Sequence, residues 1–147
     1  MTEIDHKYRT LRIIWLILLF SQLLFIGVVY SVKAEMFAAE GHESLVTSDS
    51  PIVLGAAFLA VMNLVISFVI SGKAIERGIA EQNPQYVQTA LVIGCAFCEA
   101  VSIIGLLLAF VFEYPYFYLW LIAGFIGIFL HFPRRKNLVD ASGGRSV

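Results

Sequence analysis

Apolar residues run along this chain in four long blocks separated by short polar stretches. The blocks cover residues 13–32, 51–72, 87–112 and 116–132. None shows the strict alternation of a membrane β-strand. Each holds about the ~20 residues a helix needs to cross ~30 Å of hydrocarbon at ~1.5 Å per residue. The pattern predicts an all-α integral membrane protein with four transmembrane helices. All four prolines fall at block edges, at Pro51, Pro84, Pro115 and Pro133, where proline does least harm to a helix. The run Ser48-Asp49-Ser50-Pro51 reads as a cap into the second helix. Tyr114, Tyr116, Tyr118 and Trp120 cluster at the start of the fourth block, where an aromatic belt is expected.

Composition agrees with this reading and excludes others. Apolar residues make up 59% of the 147 and charged residues only 14%, against about 25% charged in ordinary soluble domains. A soluble enzyme, a nucleic-acid binder and a disordered tail are all ruled out on that ground. The net charge of −1 is uninformative, but the placement of charge is not. Nine of the ten basic residues fall on one set of alternate connections: Lys7, Arg9 and Arg12, then Lys73 and Arg77, then Arg134, Arg135, Lys136 and Arg145. Lys33 alone faces the other side, among Glu35, Glu40, Glu43 and Asp49.

The positive-inside rule then gives the layout. Residues 1–12 are a cytoplasmic N-terminus, 33–50 an external acidic loop, 73–86 a cytoplasmic polar loop, 113–115 an external turn and 133–147 a cytoplasmic basic tail. A multi-pass protein of a bacterial inner membrane is expected. A cleaved leader is disfavoured, because the first apolar run exceeds the 7–15 residues usual for one. The tail from Ala141 to Arg145 reads as flexible.

Glu99 is the outstanding residue. It lies ten residues beyond Thr89 in the third block, roughly 15 Å along a helix and so near mid-bilayer. An ionised carboxylate there costs at least ~2.5–3.5 kcal/mol, and no Lys or Arg lies at that depth in any block. A protonated carboxyl hydrogen-bonded to a neutral neighbour is expected, which is the minimum equipment of a proton carrier. Gly94, Cys98 and Ser102 recur every four residues beside it, a small-residue stripe that lets helices approach closely. Ser102 lies one turn from Glu99, and Asn63 is the strongly polar residue at matching height on the second helix. Both are candidate hydrogen-bond partners, although Asn63 also reads as a device holding two helices together. His131 reads as an interfacial anchor. Cys95 and Cys98 read as packing residues, with no disulfide, metal or cofactor expected. The two halves of the chain show no duplication: Glu99 has no counterpart in the first helix, where the nearest polar residues are Ser21 and Gln22.

The middle of the chain, about residues 52–112, resembles ATP synthase subunit c, the proteolipid. Gly72-Lys73-Ala74-Ile75-Glu76, followed by Gly78-Ile79-Ala80-Glu81-Gln82-Asn83-Pro84, is similar to that family's inner-helix end and polar loop. The run from Gln88 through Glu99 to Phe110 is similar to its outer helix, and the spacing from Thr89 to the carboxylate matches without a gap. The resemblance implies a central helical hairpin with Glu99 as the ion-carrying carboxyl. It also implies a loop at Glu81, Gln82, Asn83 and Pro84 that meets a stalk or stator protein, and assembly into a homo-oligomer. Ala100 follows the carboxylate where sodium-type members carry Ser or Thr, which points to protons. The inner helix lacks the family's glycine repeat, reading Asn-Leu-Val-Ile-Ser-Phe-Val-Ile over 63–70, and the first and fourth helices are foreign to the two-helix form.

Two functions are expected. The first is a proton-binding subunit acting with a partner stator in the bilayer, and not an enzyme by itself. The second is a non-transporting membrane interaction or assembly protein built on the same hairpin.

Overall fold

The computed structural model describes residues 3–37 and 50–143. The fold is all-helical, with no strand among the described residues. Three helices are long and apolar enough to cross a membrane: α1 (Glu3–Val32), α2 (Ser50–Ala80) and α3 (Gln85–Val111). A shorter apolar helix, α4 (Tyr118–Leu130), follows. A last helix, α5 (Arg135–Ala141), closes the described chain. Most of the expected acidic loop, with Glu40, Glu43 and Asp49, lies outside the described residues, as does Arg145.

The helices outrun the apolar blocks. α1 begins ten residues before the first block and α2 ends eight residues after the second. Helical hydrogen bonding continues into the charged flanks because Glu3–Lys7 and Arg77–Glu81, both i,i+4 pairs at 2.7 Å, suit helix surfaces. The expected 73–86 loop therefore contracts to a tight turn. Asn83 N–H donates to the Gly78 carbonyl at 2.9 Å and Gln82 N–H to that of Ile79 at 3.3 Å. Gln82 stands in the left-handed region at φ 49. These are the two bonds of a Schellman stop, with Gln82 where glycine is usual. Asn83 Oδ1 then accepts from Gln85 N–H at 3.0 Å, which starts α3.

α3 is the central helix. It packs on α1, α2 and α4, while the backbones of α1 and α2 do not come close to each other among the described residues. The stripe Gly94, Cys98 and Ser102 is buried, and α4 seats its own small residues there. A Cβ on Gly124 would fall 2.8 Å from the Cys98 carbonyl oxygen, and one on Gly127 would fall 2.6 Å from Cys98 Sγ. Only glycine permits that approach. α1 is pinned to α4 by the Trp15 indole N–H, which donates to the Ile128 carbonyl at 2.8 Å.

Three expectations change here. The fourth block was expected to be helical over 116–132, but α4 has 13 residues, about 20 Å at ~1.5 Å per residue. The aromatic cluster is not a uniform outward belt: Tyr114 and Trp120 are buried and meet edge-on at 5.9 Å, while Tyr118 stays exposed. The reason is geometric. The chain must turn over the end of α3 through Glu113 (φ 50), with Tyr114 N–H returning to the Leu108 carbonyl at 3.0 Å, and this drives the first aromatics inward. The basic tail also holds a helix, α5, which buries Leu138 and Ala141 and ties Arg135 to Asp5 at 2.9 Å.

Candidate functional site around Glu99

Glu99 stands halfway along α3, in a helix with no basic residue at that depth. Its side chain is half-buried. The apolar pattern that makes α3 long enough to span also fixes this site, because a regular helix through 85–111 sets position 99 twelve residues from its nearer end.

The structure gives Glu99 a partner that was not expected. Ser21 Oγ, on α1, lies 2.6 Å from Glu99 Oε1. The same oxygen lies 2.7 Å from the Leu18 carbonyl oxygen. Neither expected partner is paired with Glu99. Asn63 on α2 donates its amide to the Leu59 carbonyl, one turn back in its own helix, at 2.8 Å. Ser102 is fully buried and donates to Gln22 Oε1 of α1. The physical reason is placement: α1, not α2, packs along the side of α3 that carries Glu99. Asn63 then satisfies itself locally, as such side chains do in helices.

A proton inventory follows from these distances. A serine hydroxyl has one proton to donate, yet Ser21 Oγ is within bonding distance of two acceptors. The one hydroxyl proton therefore serves either the Glu99 carboxyl oxygen or the Leu18 carbonyl oxygen, and rotation of the hydroxyl exchanges the two. Among the described residues no ion pair reaches Glu99.

A second polar line crosses the bundle nearby. Cys98 Sγ sits 3.6 Å from Ser67 Oγ and 3.9 Å from His131 Nδ1. Cys95 and Cys98 are both fully buried, which fits their packing role. His131, expected as an interfacial anchor, caps the end of α4 and is half-exposed. Its ring stacks on Phe68 at 4.5 Å, and its Nδ1 lies 2.7 Å from the Gly127 carbonyl oxygen. Gly94 makes room for it, since a Cβ there would fall 2.6 Å from His131 Nε2.

The remaining expected site residues form the turn at one end of the bundle. Glu81 and Gln82 are exposed, and Asn83 and Pro84 are half-buried. Arg77, through a hydrogen bond before any longer-range attraction, holds the Glu81 carboxyl below the usual carboxylate range. At the other end Lys33, 2.7 Å from Glu113, does the same for that carboxyl. Among the described residues no three His, Cys, Asp or Glu side chains converge as a metal site requires.

The fold and site define a class: an all-helical, membrane-type chain with one carboxyl at mid-span. Comparisons with protein-family models, with curated proteins and with solved structures find no match for it.

Proposed function

We propose that this chain is a four-span membrane protein, related to ATP synthase subunit c, in which Glu99 takes up and releases a proton. Both termini and the turn at 81–84 face the cytoplasm, and α4 crosses with its flanking turns in a locally thinned bilayer. The observation that carries the reading is the Glu99–Ser21–Leu18 chain at 2.6 and 2.7 Å, with no ion pair to Glu99 among the described residues. A neutral carboxyl is held there without the cost of a buried charge, and it discharges opposite a basic or aqueous group that a stator partner supplies.

The test is modification by a hydrophobic carbodiimide, which attacks protonated carboxyls. At low dose Glu99 should react and Glu113 should not, more slowly as pH rises. Glu99→Gln should insert normally and abolish proton movement in vesicles that also hold the partner. Equal modification of Glu113 and Glu99, or undiminished proton movement in Glu99→Gln, would overturn the reading.

One observation favours the second reading, a non-transporting interaction or assembly protein. α1 flanks Glu99 and supplies its hydrogen bond, which the two-helix form of the family has no means to do. A carboxyl permanently clamped by Ser21 is a structural device. Under that reading Glu99→Gln keeps every assembly property of the parent.

A further inference from the structure

Helix α1 is held to the bundle by few side chains. Its buried residues are Leu11, Trp15, Gln22 and Val29. Between Trp15 and Val29, roughly four helical turns, Gln22 is the one buried side chain of α1. On the α4 side of that stretch the packing is open. A cavity of about 260 Å³ lies between Leu23 and Ile26 of α1 and Leu121, Ile122 and Phe125 of α4, and Gln22 also lines it. Apolar packing against α4 therefore does not fix α1 at this height. Two hydrogen bonds to α3 do so. Ser21 Oγ lies 2.6 Å from Glu99 Oε1, and the Ser102 hydroxyl donates to Oε1 of the adjacent Gln22.

Gln22 is a costly residue for that place. It is 2% exposed, and its Nε2 is buried without a hydrogen-bond partner. An unpaired buried donor costs free energy that an apolar side chain of similar shape avoids. Ser102 has no need of the amide, since a serine in a helix can donate to a carbonyl of its own preceding turn. Methionine at position 22 would serve packing alone. What the amide adds is direction. A hydrogen bond fixes distance and angle between two helices, where an apolar contact beside a cavity lets them slide.

We propose that Gln22 is a positioning residue for Glu99. Its bond with Ser102, one turn beyond Glu99, sets the rotation and height of α1 on α3 and so keeps the Ser21 hydroxyl on the carboxyl. Gln22 acts through Ser21 and not on Glu99 itself. This role deepens the proton-binding reading of Glu99 and rests on it for its consequence, because a displaced Ser21 leaves the working carboxyl without the partner that holds it.

Infrared difference spectroscopy of the intact protein in lipid tests this. Each variant is measured with and without the further change Glu99→Gln, which isolates the Glu99 carboxyl band. Ser21→Ala should shift that band, since the hydroxyl that bonds to the carboxyl is gone. Gln22→Met keeps the volume and removes the amide; it should shift the band in the same direction. Added to Ser21→Ala, Gln22→Met should shift it no further, because no hydroxyl is left to position. An unmoved band in Ser21→Ala or in Gln22→Met would overturn the proposal. So would an equal effect of Gln22→Met with and without the Ser21 hydroxyl, which is the mark of a general loosening of the bundle. Ser102→Ala breaks the same bond from α3 and should reproduce the shift, which keeps the test decisive even if Gln22→Met does not fold. An ionised carboxylate band in the parent would overturn the neutral carboxyl of the proton-binding reading, while the same shifts would still decide the role of Gln22.

Discussion

Replacing Ser21 by alanine deletes the hydroxyl that bonds to Glu99. Two contacts go at once, at 2.6 Å to Glu99 Oε1 and 2.7 Å to the Leu18 carbonyl. The carbonyl keeps its helical hydrogen bond, so its loss is small. The carboxyl loses its side-chain partner in the middle of an apolar helix. An unpaired buried polar group costs ~1–3 kcal/mol, and Glu99 is half-buried, which places the loss near the lower half, about 1–2 kcal/mol. The better helix propensity of alanine returns a few tenths of a kcal/mol. Unfolding in mixed detergent micelles should show that net loss. Carbodiimide labelling of Glu99 should accelerate in the same variant, because the carboxyl is no longer tethered. Ser21→Thr keeps a hydroxyl and should restore both properties. Asn63→Ala should leave the labelling rate unchanged, since the Asn63 amide is bonded within its own helix. If Asn63→Ala altered the labelling of Glu99 and Ser21→Ala did not, the assignment of α1 as the partner helix would be wrong.

Gly124→Ala should destabilise by about 1–3 kcal/mol, the usual cost of overpacking. Its Cβ would meet the Cys98 backbone carbonyl at 2.8 Å, and thermal unfolding in detergent measures the effect. Glu113→Gln should lower the melting temperature slightly near neutral pH and not at all in acid. Lys33 depresses the Glu113 carboxyl, so the pair's contribution is complete above the ordinary value of about 4.3 and disappears as pH falls through the lower folded value. Gln82→Gly should stabilise the α2–α3 turn by up to about 1 kcal/mol, since Gln82 holds φ 49. A lower melting temperature for that variant would mean that the Gln82 side chain matters more than its backbone strain. A single cysteine at position 79, in a background with Cys95 and Cys98 replaced, should react only with reagent supplied from the cytoplasmic face, and reaction from outside would refute the proposed topology.

The helical class and the three long apolar helices were legible because the signal is thermodynamic and repeated. Twenty consecutive apolar positions leave a chain in lipid few alternatives to a helix. Helix ends were less legible, because hydropathy reports where the hydrocarbon would lie and not where hydrogen bonding stops. Lys73, Glu76 and Arg77 read as loop on polarity alone, yet they continue α2. The fourth helix was overcalled for the converse reason. Tyr116 and Phe117 are apolar enough to extend the block, but the need to turn through Glu113 claims them for the crossing over the end of α3. α5 has seven residues and no apolar block to announce it. Its apolar positions are only Leu138, Val139 and Ala141, set among Arg135, Lys136, Asn137 and Asp140.

The site was half legible for a similar reason. Glu99 declares itself, because a carboxyl in an apolar span is costly wherever its neighbours turn out to be. A partner cannot be read from one helix, since it depends on which helix lies alongside. Height was the right guide and was applied to one pair only. Asn63 was matched to Glu99 on the expectation that α2 and α3 form a hairpin, which they do. Helix α1 starts from the same end as α3, as the basic flanks of both indicate. Ser21 lies nine residues beyond Arg12 and Glu99 ten beyond Thr89, so at ~1.5 Å per residue the two are level to within a couple of ångströms. The same counting that selected Asn63 would have selected Ser21. What it could not have done is choose between them, because both rows are level with the carboxyl and only the packing of small residues decides. Gly124 and Gly127 draw α4 onto the Cys98 and Ser102 side of α3, and the Trp15 N–H on the Ile128 carbonyl draws α1 in beside α4. Glu99 then meets α1 as a consequence of glycines that lie on neither helix of the pair.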